Sequence, residues 1–144
     1  SLPQTSPPKW FPERIVLSPL AWVVIIDDSP LVHEIWRFRF ARLPAGDLQK
    51  PGLIHFENGG DAESWFEQSA MDPRREDATY LVDYDLGATS KNGLDLIARL
   101  GIEKTSVLVT GRSDDPRVLS RCMEMGVRLL PKDLAEYVPI LFQT

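Results

Sequence analysis

Apolar residues along this chain fall into two rhythms that alternate. Trp22-Val23-Val24-Ile25-Ile26 is a short unbroken run rich in β-branched residues, the pattern of a strand buried on both faces. It stops at Asp27-Asp28, and Ser29-Pro30 supplies a helix start, with Ser as cap and Pro at the first helical position. Val32, Ile35, Trp36 and Leu43 then recur on one face of a helix that Pro44-Ala45-Gly46 ends. The alternation repeats. Leu53 to Phe56 reads as a strand, Asn58-Gly59-Gly60 as a turn, and Asp61 to Phe66 as the opening of a second helix. The charged segment Asp72 to Asp77 reads as a loop, and Tyr80-Leu81-Val82 as a strand stopping at Asp83-Tyr84-Asp85. A polar loop through Asn92-Gly93 leads to a helix from Leu94 to about Leu100. Ser106 to Thr110 is a fourth strand, Asp115-Pro116 opens a helix that Gly126 ends, and Arg128 to Pro131 is a short fifth strand. A last helix is expected from Asp133.

Five strands alternating with five helices predict an α/β fold, a doubly wound five-stranded parallel sheet covered on both faces. The first twenty residues break the rhythm. Pro3, Pro7, Pro8, Pro12 and Pro19 exclude a long helix or a central strand there. We read residues 1–20 as a proline-rich N-terminal arm or linker and 21–144 as the domain. Trp10, Phe11, Ile15 and Val16 give the arm apolar side chains with which to dock.

The 144 residues (16.3 kDa) suit one domain. A net charge of −5 argues against direct nucleic-acid binding, which needs a basic footprint. The longest apolar stretch, Leu20 to Ile26, is too short for membrane insertion. No signal peptide is visible, and the single Cys122 excludes an internal disulfide, so a reducing, cytoplasmic setting is expected. The absence of an initiator Met suggests a piece of something longer.

Ligands of open parallel sheets bind outside the carboxyl ends of the strands. The residues there are Asp27 and Asp28, then Asp83, Thr110 and Lys132. Three gathered carboxylates repel: two unit charges ~4 Å apart cost about 4 kcal/mol at an effective dielectric of ~20. A raised carboxyl pKa or a cation must relieve this, and Mg²⁺ matches oxygen donors of this kind. Lys132 and Thr110 are equipped to hold phosphoryl oxygens, and a carboxylate beside them to attack phosphorus. Singly, each residue is more simply a helix cap or a solvated group; the combination carries the signal.

Residues 21 to about 142 resemble the receiver domain of two-component response regulators. Asp27-Asp28 matches its acidic pair, Asp83-Tyr84-Asp85-Leu86 with Gly93 its phospho-acceptor loop, Val109-Thr110-Gly111 its Thr-plus-small-residue position, and Pro131-Lys132 its lysine. The resemblance implies a flavodoxin-like fold that accepts a phosphoryl group onto Asp83 from a histidine kinase or phosphotransfer protein. It implies Mg²⁺ held by Asp28, Asp83 and the backbone carbonyl of Asp85, with Asp27 acting mainly through water, and phosphoryl oxygens bound by Thr110 and Lys132. Three departures stand out. Gly87 replaces the usual proline and Ala88 to Asn92 lengthens the loop, the run from Gly126 to Lys132 is one residue short, and Leu129 occupies the usual aromatic position.

Two rivals remain open. Asp83-Tyr84-Asp85-Leu86-Gly87 also resembles the DxDxG motif of haloacid-dehalogenase-type phosphatases, in which Asp83 is nucleophile and Asp85 general acid. The preceding strand–helix units and the short remainder after Lys132 count against it. The other rival is a degenerate receiver serving as a docking module. His33, near the acidic pair, reads as a partly exposed structural histidine, and His55, Cys122, Met123 and Met125 read as packing. The Pro-Pro-Lys-Trp-Phe-Pro arm looks like the join before the C-terminal receiver of a hybrid histidine kinase. The family also allows a homodimer through the fourth or fifth helix.

Overall fold

The computed structural model describes residues 10–44, 46, 50–87 and 91–143. Residues 88–90 of the lengthened loop, and Ala45 in the first helix stop, lie outside the described residues. Seven strands and five α-helices follow one another among those described. They are β1 (Ile15–Leu17), β2 (Trp22–Ile26), α1 (Pro30–Ala41), β3 (Gly52–Phe56), α2 (Gly59–Gln68), α3 (Pro73–Glu76), β4 (Thr79–Val82), α4 (Gly93–Leu100), β5 (Ser106–Thr110), α5 (Pro116–Met125), β6 (Arg128–Pro131) and β7 (Ile140–Phe142).

Five of the strands form a parallel sheet in the order β3-β2-β4-β5-β6. The expected doubly wound sheet is therefore present, with the chain reversing its direction of winding after β3. Successive strand residues point to opposite faces and so divide the core in two. Val24, Ile26, Tyr80, Val82, Leu108 and Leu129 pack under α2, α4 and α5. Val23, Ile25, Leu81, Val107, Val109 and Leu130 face the other way, under Trp36 and Phe40 of α1.

The helix expected from Asp133 does not form. Lys132–Leu134 makes a single 3₁₀ turn, and the chain then extends into β7. Pro139 explains this. It forbids a helix from running on beyond a few residues and pushes Val138 toward extended backbone. The vacated place is filled by the N-terminal arm, because β1 pairs in parallel with β7, Ile15 opposite Ile140 and Leu17 opposite Phe142. Ile15 and Leu17 are each 1% exposed and belong to the α1-side core. Further up the arm, the carbonyl of Trp10 accepts the Leu129 N–H at 2.8 Å, covering the open edge of β6. Among the described residues, the fifth helix that was expected from Asp133, one of the two considered for a homodimer, does not form.

Two smaller expectations are corrected. The segment 72–77 is not all loop: Pro73–Glu76 turns once as α3, started by the Asp72 carboxylate accepting the Arg74 N–H at 2.9 Å. Ser29 occupies the cap position of α1, yet its side chain makes no capping bond. The Asp27 carboxylate reaches over instead and accepts the Ser29 N–H at 2.8 Å.

Candidate functional site

The parallel register brings the ends of β2 and β4 level, since Ile26 pairs with Val82. The residues that follow therefore emerge side by side, and the Asp83 N–H donates to the Ile26 carbonyl at 2.8 Å. Asp27 and Asp83 are almost wholly buried, at 1% and 3% exposure, while Asp28 is exposed. One carboxylate oxygen from each of the three lies within 4.8 Å of the others. Lys132, delivered by β6 from across the sheet, places Nζ 3.5 Å from both Asp27 Oδ2 and Asp83 Oδ2. These are ion-pair contacts longer than a well-formed hydrogen bond, so the ammonium lies between two acids without being committed to either.

Burial dominates the electrostatics. It pushes the Asp83 carboxyl up to about 6; Asp27 adds to the shift and Lys132 opposes it. Asp27 is also raised by burial, despite the Ser29 N–H and Lys132. Burial pulls Lys132 down, but its two carboxylate neighbours outweigh that and leave it above its ordinary value. Three carboxylates served by one shared ammonium are left with excess negative charge. All-oxygen donors of this kind suit a hard divalent cation such as Mg²⁺, and no nitrogen or sulfur ligand belongs to the cluster.

Thr110, fully buried at the end of β5, accepts the Arg112 N–H on Oγ1 at 3.1 Å, leaving its own proton to donate. Asp85 goes elsewhere. Its carboxylate pairs with Arg112 Nε at 2.8 Å and is about half exposed, so its side chain is not part of the acidic cluster. That arrangement leaves the general-acid role of the phosphatase reading without support. Gly93 is required at its position: a Cβ there would lie 2.0 Å from the Asp83 carbonyl oxygen. Its N–H donates to the Tyr84 carbonyl at 2.8 Å, so the first turn of α4 rests directly on the loop after β4.

Two features escaped the sequence reading. Arg112, two residues beyond Thr110, reads in the sequence only as the end of Val109-Thr110-Gly111-Arg112, which resembles a second phosphatase motif, yet it pairs with Asp85 at 2.8 Å. His33 is buried rather than partly exposed, and its Nε2 lies 2.7 Å from the Asp27 carbonyl oxygen. The signal for the second was available, because Ser29-Pro30 starts α1 and puts His33 in its first turn, facing back toward β2.

No family model matches the chain, and no curated protein matches it. Solved structures do. Response regulator Rcp1 in its Mn²⁺-bound form superposes with a TM-score of 0.60 at 18% identity, over 81% of this chain and 87% of that one. The phosphorylated cyanobacterial phytochrome response regulator RcpA gives 0.61 at 13% identity, over 81% and 89%. The receiver domain of the histidine kinase CKI1 from Arabidopsis thaliana, complexed with Mg²⁺, gives 0.57 at 12% identity, over 86% and 89%. The chain has the receiver fold. Within that fold, the described residues place Asp27, Asp28, Asp83, Thr110 and Lys132 along one rim of the sheet, at the carboxyl ends of β2, β4, β5 and β6. No helix is long and apolar enough to cross a membrane, among the residues described.

Proposed function

We propose that this chain is a phosphoryl-accepting receiver of two-component signalling, with Asp83 as acceptor and a histidine kinase or phosphotransfer protein as donor. The observation that carries the reading is the buried Asp83 carboxylate, 3.5 Å from Lys132 Nζ and gathered with Asp27 and Asp28. An Asp83 oxygen attacks the phosphorus of a phosphohistidine or of acetyl phosphate. The new P–O bond forms as the P–N or P–O bond to the donor breaks, and the bonding pair leaves with the imidazole or acetate. Lys132 stands where charge develops on the phosphoryl oxygens, and Thr110 has a hydroxyl proton to donate to one of them. Asp27, Asp28 and Asp83 would hold Mg²⁺, with the Asp85 backbone carbonyl as a further ligand. The ion would supply charge neutralisation at the phosphoryl group.

The acyl phosphate biases an equilibrium between two conformations, with Thr110 as relay. Leu129 is fully buried in the core, so no aromatic at that position takes part. On this reading the chain is a signalling domain rather than an enzyme, with its receiver in residues 21–144 and the arm in 1–20. A cytoplasmic setting and a parent hybrid histidine kinase fit the same reading.

Intact-mass spectrometry after incubation with acetyl phosphate, with and without Mg²⁺, tests it. The expected result is one Mg²⁺-dependent phosphoryl adduct, lost in Asp83→Asn. No adduct with steady phosphate release would instead favour the phosphatase. No adduct and no turnover, with the kinase also failing to label the chain, would leave a docking module.

A further inference from the structure

The chain contains two histidines, and the fold brings them together. His33 on α1 and His55 on β3 set Nδ1 against Nδ1 at 2.8 Å, with ring centroids 4.9 Å apart. Both line a polar cavity of about 360 Å³ whose walls also carry Glu34, Glu57, Asp61 and Arg37. Arg37 is paired with Glu34, and Asn58 holds Asp61 at 3.0 Å.

The protonation pattern of His33 follows from its neighbours. Its Nε2 lies 2.7 Å from the Asp27 carbonyl oxygen, which can only accept, so the ring proton sits on Nε2 and Nδ1 presents a lone pair. Histidines that bind metals are oriented in this way, with the outer N–H anchored on a carbonyl and the inner nitrogen turned toward the ion. Across the gap, His55 either donates its Nδ1 proton or carries that proton on Nε2. In the second tautomer two lone pairs face each other, an arrangement that a cation stabilises. Burial, with Arg37 and His33 adding to it, holds His55 down to about 4, so that ring is neutral at pH 7.

We propose that His33 and His55 form a second cation site, selective for an imidazole-preferring divalent transition ion such as Zn²⁺. Both Nδ1 atoms are ligands, and water fills the remaining positions. Zn–N bonds of about 2.0–2.1 Å in tetrahedral geometry need the two nitrogens about 3.3 Å apart. The rings therefore part by about half an ångström, which the half-buried His55 permits. The His55 proton moves from Nδ1 to Nε2, and that ring stays neutral. Imidazole donors favour Zn²⁺, Cu²⁺ and Ni²⁺, whereas the all-carboxylate cluster favours Mg²⁺, so the two sites sort cations by ligand chemistry. The proposal stands independently of the phosphoryl-accepting reading.

The test is calorimetric titration of the untagged full chain with Zn²⁺ in excess Mg²⁺, followed by NMR of the imidazole resonances. The two histidine signals report on this pair alone. The expected result is one equivalent of Zn²⁺ bound, both imidazoles shifted, and binding weakened at least about tenfold in His55→Ala and His55→Phe. Asp28→Asn should retain the site. Zn²⁺ binding that survives both His55 substitutions but falls in Asp28→Asn would place the ion in the acidic cluster and overturn the proposal. Imidazole signals unmoved by Zn²⁺ in the wild-type chain would overturn it too, whatever the stability of the variants.

Discussion

One face of the sheet is covered by α2, α4 and α5, each laid down next to the strands it packs on. The other is covered by α1 together with β1 and β7, which come from opposite ends of the described chain. On the first face the apolar periodicity of each helix is enough to build the layer. On the second, a parallel pair must be assembled from segments about as far apart as Ser18 and Gln143, 125 residues in sequence. Closing so long a loop costs entropy before any contact repays it. The two faces should therefore differ in when they form more than in how much they bury.

The largest effect is expected where the non-local layer is broken. Ile15→Ala with Leu17→Ala removes two side chains that are each 1% exposed. At about 2–5 kcal/mol apiece, the pair approaches the whole stability of an ordinary domain. Urea unfolding should show this, with the loss appearing as faster unfolding and a folding rate little changed. Leu94→Ala with Ile97→Ala in α4 should cost a similar amount but slow folding instead. Equal partition of the two losses between the folding and unfolding rates would remove the distinction between the faces.

The next effect is at the rim. Gly93→Ala would drive a Cβ into the Asp83 carbonyl, and overpacking of this kind costs about 1–3 kcal/mol. Melting measured alongside acetyl phosphate labelling should show both falling, because the displaced carbonyl belongs to Asp83, the proposed acceptor.

Similar in size, and of opposite sign, is the effect of removing the Asp83 charge. Asp83 titrates at about 6 in the fold against an ordinary 3.8, so the folded state holds the proton more tightly than the unfolded chain does. Its stabilising contribution is complete below the ordinary value and is lost as pH rises through about 6. Asp83→Asn should thus be more stable than wild type at pH 7 in chelator, by about 3 kcal/mol, with most of the margin gone near pH 4. Mg²⁺ should reverse the order at pH 7 by binding the wild-type carboxylates. Urea titrations at the two pH values check this.

The smallest structural effect, though not the smallest functional one, belongs to Arg112→Ala. Its ion pair with Asp85 is exposed and screened, so the melting point should stay where it is. The freed Asp85 carboxylate should shorten the lifetime of the Asp83 acyl phosphate severalfold by accepting a proton from the attacking water. Asp85→Ala should lengthen it, and decay followed by mass spectrometry decides.

The parts legible in the sequence were those specified locally. The buried runs at 22–26 and 80–82 announced central strands, and the acids that end them sit at the rim because parallel register leaves them no other place. The acidic cluster followed from that register alone. What was not legible depended on distant partners. Ile140-Leu141-Phe142 carries no mark saying that it will pair with Ile15-Val16-Leu17, and Asp133 opens what looks like one more helix unless the reach of Pro139 is weighed. His33 was misjudged for the same reason, since its burial depends on β3 delivering His55 against it.

The pairing of β1 with β7 also has a mechanical meaning. The strands run parallel, and Ile15 donates to the Pro139 carbonyl at 2.8 Å while Gln143 donates to the Leu17 carbonyl at 2.7 Å. A pull applied between the two ends of the chain loads this short ladder in shear, along the strands, so its bonds must rupture together. Antiparallel strands pulled from adjacent ends would open one bond at a time. Tension is thus met first by the patch that holds arm and tail together, and the acidic rim lies behind it, shielded until that patch gives way.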